Sequence, residues 1–306
     1  MRTSLVFRTA VCAGAALFGL AAANAAQFTY NGFSNTAGLT LVGDAATAVT
    51  SDGTVLRVTP ATGSQSGAVY STSAFTLGAS ATFSTQFQFR FTDPGAWDPA
   101  DGITFVLAAS PSGLGSGGVG MGYAGVPNSV AIEFDTYNNA GFGLGDNDGN
   151  SSNHVSIDTD GNLTNTALAN VYGNGSCGFA NGNPPQNPQS ADGCMSNGHL
   201  WTVNMSYDGS DLTVSLRDPS ESSDFVAINS YPINIASYLG TNNAYVGFTA
   251  GTGAGWENHD ILNWTFANTA QLPPSSVPEP DSLTLLAAGV LMLAGFGASR
   301  RFRRQN

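Results

Sequence analysis

The 306-residue sequence contains no lysine. Its basic residues are nine arginines, and six of them crowd the two ends: Arg2, Arg8, Arg300, Arg301, Arg303 and Arg304. The long middle keeps Arg57, Arg90 and Arg217, against all but one (Asp281) of the 21 acids. A chain this poor in cations cannot neutralise phosphates, which excludes nucleic acid as a partner. Such an acidic surface suits an exported or cation-binding protein. Cysteine is nearly absent too, with Cys12, Cys177 and Cys194 alone. Helical periodicity is missing outside the ends, so the body excludes helix-built fold classes.

Apolar runs occur at both ends. Residues 1–25 carry Arg2 and Arg8, then "TAVCAGAALFGLAAA" and the small residues "ANAA". That order is a secretory signal peptide. Near the other end, residues 283–298 are about 16 apolar or small residues, roughly 24 Å as a helix and short against a hydrocarbon core of about 30 Å. The last four arginines would hold that helix on the cytoplasmic side, as in an ordinary single-span anchor. Val277, Pro278, Glu279 and Pro280, the apolar stretch and the basic cluster together closely resemble the PEP-CTERM sorting signals of Gram-negative bacteria. The resemblance implies export, removal of the helix by an exosortase, and transient inner-membrane anchoring before release or retention at the envelope. Residues 272–282 then read as a Pro-rich linker and 283–306 as the sorting helix and tail.

The body, residues 26–271, is one domain of strands. Runs such as "TVLRVTP", "ATFSTQFQFRF", "GITFVLAA", "LWTVNMSY", "DLTVSLR" and "AYVGFTAG" are punctuated by Gly, Asn, Asp and Ser turns. Short strands without helices predict an all-β, antiparallel two-sheet sandwich. Cys12 leaves with the leader, and an even pair in an exported chain predicts a Cys177–Cys194 disulfide.

One strand poses a chemical question. In "VAIEFDTYNN", starting at Val130, apolar Val130, Ile132 and Phe134 alternate with Ala131, Glu133 and Asp135, the pattern of a half-buried strand. Two carboxylates therefore share one face about 6–7 Å apart, where their repulsion demands compensation. A glycosidase would use them as acid and nucleophile; a metal site would use them as ligands. The chain continues through Asn138, Asn139 and the loop "AGFGLGDNDGNSSN" to His154. Carboxylates, an amide and carbonyls favour Ca²⁺, and an added imidazole favours a transition ion such as Mn²⁺. A lone "DNDG" is more often a polar turn, and a lone His more often a satisfied core residue. His199 and His259, which begin late strands, read as structural.

The order of motifs resembles the legume-lectin-like (L-type lectin) domains. It carries "FTYNGFSN", "LVGDAA", "GAVYSTSAF", "FSTQFQFRF", "ADGITFVLA", a Gly-rich loop, "SVAIEFDTYNN", "NHVSID" and "TGAGWENHDILNWTF" in series. The resemblance implies a jelly-roll sandwich of the concanavalin type that binds carbohydrate without catalysis, beside a buried pair of ions, Ca²⁺ and Mn²⁺. It assigns Glu133, Asp135 and His154 to the transition metal, and Asp135, the Tyr137 carbonyl and Asn139 to Ca²⁺. A further Asp should bridge both ions five residues before the His, but Gly149 stands there. If residues 150–152 are an insertion, Asp146 takes that place; Asp148 is the other candidate.

For the sugar, the resemblance assigns Asp101, following a cis Ala100–Asp101 peptide, and Gly118 and Val119 of the Gly-rich loop as N–H donors. It adds the Asn139 amide, the Tyr137 ring, and Ala254 and Gly255 of the last loop. Trp256 follows directly and is expected either to stack on the sugar or to join the core. The glycosidase reading lacks its acid, because the strand would need a third carboxylate at Tyr137 or Asn138 and the next glutamate along the chain is Glu221. The expected partners are glycans or exopolysaccharide. A structural matrix protein with a degenerate lectin fold is the rival reading.

Overall fold

The computed structural model describes residues 27–77, 82–140, 148–177 and 193–272. The leader, the sorting tail and Asp146 lie outside the described residues. In chain order the strands are β1 (Gln27–Asn31), β2 (Leu39–Gly43), β3 (Ala46–Thr50), β4 (Gly53–Thr59), β5 (Ser66–Ser71) and β6 (Phe75–Thr76). Next come β7 (Phe83–Ala96), β8 (Gly102–Ala108), β9 (Ser129–Asp135), β10 (His154–Thr159) and β11 (Asn162–Asn170). β12 (Trp201–Tyr207), β13 (Asp211–Arg217), β14 (Phe225–Pro232), β15 (Asn243–Gly251) and β16 (Gly255–Ala267) complete the set.

They form two antiparallel sheets, the expected sandwich. One runs β14-β13-β12-β7-β16-β4-β3, with β1 also on β16; the other runs β11-β10-β9-β8-β15-β5-β2, with β6 also on β15. Alternation in β7 sends Phe83, Phe87, Phe89 and Phe91 inward, where they meet Ile132 and Phe134 of β9 in one core. The Phe87 ring lies 4.9 Å from Phe248 and 5.8 Å from Phe134, both edge to face. Each such buried aromatic contributes about 1.5–3 kcal/mol by leaving water.

β9 departs from the half-buried expectation, since every one of its residues is buried. The reason is a second apolar cluster on the outer face of its sheet, built from Ala68, Tyr70, Val106, Tyr123, Val126 and Ala131. The Gly-rich loop lies flat across that face and closes on itself through Gly115 N–H to Gly122 O at 2.6 Å. A Cβ at Gly115 would stand 2.4 Å from the Ala124 carbonyl, so a side chain there would lift the loop.

β11 and β14 were not legible as strands, nor was the one-turn helix α1 (Ile235–Leu239). Both strands lie at sheet edges with mixed exposure, so apolar alternation is weak there. Asn234 caps α1 by accepting the Ser237 N–H at 3.0 Å.

Cys177 and Cys194 are joined, with 5.6 Å between their Cα atoms. Beside them Asp218 is fully buried. It accepts from Gly193 N–H (2.9 Å) and Asn197 Nδ2 (2.7 Å), and contacts His199 Nδ1 at 2.7 Å. Burial alone would raise its pKa, but the N–H groups of Ser220 and Gly193 and the His199 contact overcome that and hold it below the usual carboxylate range. A depressed carboxylate contributes stability above its unfolded pKa and loses it as pH falls through the folded value. Acid titration of unfolding should therefore show a loss of stability below about pH 4 that Asp218→Asn diminishes. An unchanged acid limb in that variant would contradict the assignment.

Candidate functional site

The carboxylates of β9 are placed by register. His154 of β10 pairs with Asp135 and Ser156 with Glu133, while Gly102 and Thr104 of β8 face the same two acids from the other side. Glu133, Asp135 and His154 are each fully buried. His154 Nε2 lies 3.0 Å from Glu133 Oε1, which also accepts the Ser156 hydroxyl at 2.6 Å. Asp135 Oδ1 accepts the Tyr137 N–H at 2.7 Å, turning the chain out of the strand.

The loop beyond returns to the same place. Asp148 is fully buried and accepts the backbone N–H groups of Asn139 and Ala140, the latter at 3.1 Å. Asn139 Oδ1 is buried with no hydrogen-bond partner among the described residues. Asp158 also joins the cluster. It shares its strand face with His154 and Ser156, as the period-2 pattern of "HVSIDT" places it. Burial and the neighbouring Glu133 carboxylate push Asp158 up to about 9, so it is protonated at neutral pH.

This donor set suits divalent cations. Carboxylates, a stranded amide oxygen and one imidazole supply hard oxygen donors and a nitrogen. Among the described residues, however, no three His, Cys, Asp or Glu side chains converge closely enough to hold one ion. Asp148 is turned to backbone N–H groups, and the alternative bridge, Asp146, is outside the described residues. The charge balance and the orphaned Asn139 oxygen fit a cation; the coordination shell is not closed.

Directly beside this cluster is a cleft of about 270 Å³. Its walls carry Asp101, Gly118, Val119, Tyr137, Asn139, Ala254 and Gly255, so the fold brings together these expected residues from four separate loops. The Ala100–Asp101 peptide is cis, as expected. Asp101 N–H donates to Gly251 O at 3.0 Å and its carbonyl accepts Thr136 N–H at 3.0 Å, which fixes the carboxylate on the wall. Burial first, then the Asp98 and Asp101 carboxylates, raise the Tyr137 phenol.

Two expected roles are placed differently. Gly118 N–H donates to Thr252 O at 3.1 Å, so one of the two expected loop donors is already engaged by the fold. Trp256 is not on the cleft wall. Its ring lies against Gly95 and Gly63, where a Cβ would approach it to 2.3 and 3.3 Å. It packs between the end of β7 and the loop that carries Gly63.

The remaining histidines sit elsewhere, His199 against Asp218 and His259 in a buried group with Thr59 Oγ1 at 2.7 Å and Glu257 Oε1 at 3.5 Å. Glu257 went unnoticed in the sequence. Its Oε1 accepts hydroxyls from Thr136 (2.7 Å) and Ser196 (3.0 Å), which ties the end of β9 to the disulfide segment.

Comparison with known proteins was made at three levels. The family model described as legume lectin domain matches residues 25–281, and the PEP-CTERM protein-sorting motif matches residues 276–304. A seed lectin of Styphnolobium japonicum is 31% identical over 206 residues, 63% of this chain and 59% of that protein. A lectin alpha chain of Lablab purpureus is 31% identical over 271 residues, 81% of this chain and 83% of that one. Among solved structures, basic winged bean lectin with Tn-antigen superposes with a TM-score of 0.62 at 25% identity, covering 82% of this chain and 100% of its own. Peanut lectin shares the fold at a TM-score of 0.61 and 22% identity, covering 80% of this chain and 97% of its own.

The cleft geometry makes one position testable without a ligand. A Cβ at Gly255 would meet the Asp98 carbonyl at 2.4 Å and the Ala100 Cβ at 3.0 Å. Gly255→Ala should destabilise the protein by about 1–3 kcal/mol in denaturant unfolding, because backbone must move to admit one methyl group. An unchanged midpoint would show that this wall yields freely.

Proposed function

Because the chain belongs to the legume lectin domain family, we propose that it is an exported, non-catalytic carbohydrate-binding protein whose glycan site is shaped by bound divalent cations. The observation that carries this reading is the cleft itself, with Asp101, Val119, Tyr137 and Asn139 on one wall system beside a buried acid cluster.

The chemistry of that wall suits a pyranose. The Asp101 carboxylate can accept from two sugar hydroxyls, the Val119 N–H and the Asn139 amide can donate, and the Tyr137 ring offers an apolar face. Asn139 serves both sites, with its carbonyl turned to the cation and its amide to the sugar. Glu133, Asp135 and His154 would hold a transition ion such as Mn²⁺. Asp135, the Tyr137 carbonyl and Asn139 would hold Ca²⁺. Asp148 is the bridging acid best supported by burial and by its place against Asn139, with Asp146 the alternative. The cations, when bound, neutralise the acids and fix the loop carrying Asn139.

A hydrolytic role is disfavoured by the same geometry. Glu133 and Asp135 are fully buried and are not among the wall residues, so they cannot straddle a glycosidic bond. The sorting motif supports export from a Gram-negative cell, with exosortase processing and surface or extracellular glycans, exopolysaccharide included, as partners. One shallow site binds weakly, so useful avidity calls for several copies on one surface.

Glycan-array binding of the purified protein, with Ca²⁺ and Mn²⁺ and again after chelation, tests this directly. Specific binding that disappears on chelation and in Asp101→Ala, while the variant keeps its unfolding midpoint, is the expected result. Metal uptake with no glycan bound would instead favour the structural matrix role. Binding by Asp101→Ala at wild-type strength would remove the proposed site.

A further inference from the structure

The disulfide lies close to the ligand-bearing strands, and the hydrogen bonds around it converge on them. Asn153, immediately before His154, is fully buried. Its Nδ2 donates to Asn174 O and to Gly193 O, both at 2.9 Å, and its Oδ1 accepts Met195 N–H at 3.0 Å. All three of its side-chain hydrogen bonds thus go to the two chain segments that Cys177 and Cys194 join. Ser152, one residue earlier, accepts the Cys177 N–H on its hydroxyl at 2.9 Å and donates its own N–H to Gly175 O at 2.9 Å.

The same segment reaches the other ligand strand. Ser196, two residues past Cys194, donates to Glu257, which also accepts the hydroxyl of Thr136. Thr136 sits between Asp135 and Tyr137, and its N–H holds the Asp101 carbonyl. Residues 193–196 therefore touch the His154 side of the cluster through Asn153 and the Asp135 side through Glu257.

We infer that Asn153 and the disulfide-anchored segment 193–196 are positioning elements of the cation centre, holding His154 and Asp135 in register for the ion. This rests on the cation reading above and adds a chain-specific support to it. Ligand orientation depends on such outer partners because an imidazole or carboxylate free to swing pays ordering entropy on binding. The cross-link removes that freedom before the ion arrives.

The test is calorimetric titration of Mn²⁺, and separately of Ca²⁺, into the chelator-stripped protein for wild type, Asn153→Ala and the Cys177→Ser/Cys194→Ser double variant. Val214→Ala, a buried core change in β13 far along the other sheet, serves as the control for stability alone. Asn153→Ala and the double variant should bind Mn²⁺ about 10- to 100-fold more weakly at a temperature where all are folded. Val214→Ala should lower the unfolding midpoint yet keep the wild-type Kd. A wild-type Kd in Asn153→Ala and the double variant overturns the positioning role while leaving the cation centre intact. No Ca²⁺ or Mn²⁺ uptake by wild type overturns the cation reading itself. A measurement needing no variant is amide exchange in the wild-type protein. Ca²⁺ should slow exchange at Met195 and Cys177, and equal rates with and without the ion would contradict the coupling.

Discussion

Buried negative charge is the constraint around which this half of the molecule is arranged. Glu133, Asp135, Asp148 and Asp158 are all fully buried within two strands and one loop, with His154 among them. An unpaired carboxylate taken out of water costs several kcal/mol, so such a group persists only with hydrogen bonds, protonation or a cation. The first two of these act within the chain itself. Asp158 keeps its proton, Asp148 and Asp135 accept backbone N–H groups, and Glu133 accepts a hydroxyl and lies against an imidazole. The three arginines of the body are committed elsewhere, to Asp260, Asp52 and Asp224. The chain uses positive charge sparingly, and each of these three arginines is paired with an acid outside the cluster.

That electrostatic arrangement also explains where the cleft is. The turn that Asp135 makes at Tyr137 carries Asn139 to the wall, and the same turn supplies the Thr136 N–H that holds Asp101. Movement of the acid cluster would therefore move both Asn139 and Asp101 on the cleft wall. Because the Gly-rich loop is laid on the outer face of the sheet rather than standing free, Val119 is presented from a packed layer.

Much of the fold was legible because alternation is strong in the central strands. β7 and β9 read directly from Phe83 to Phe91 and from Val130 to Asp135. β11 and β14 escaped because edge strands can be polar on both faces. Glu133, Asp135, Asn139 and Asp101 could be named from spacing and family resemblance, and the cleft assembles the wall residues among them. Burial of the acid face could not be read, since what packs around Glu133 comes from β10 and β11, brought there only by sheet register. Trp256 shows the same limit: its neighbour Gly255 is on the wall, but alternation turns the indole toward Gly95. Glu257 and Asp158 are acids in otherwise ordinary strands, and tertiary contact reveals what Glu257 holds.

The central claim is that a cation completes the buried acid cluster. Diffraction from crystals grown with Mn²⁺ and Ca²⁺, recorded at the manganese absorption edge, tests it most directly. The account predicts an anomalous peak bounded by Glu133, Asp135 and His154, with a second ion beside Asn139. A fully ordered cluster with no peak at saturating metal would contradict it, and would leave hydrogen bonding and the raised pKa of Asp158 to carry this charge.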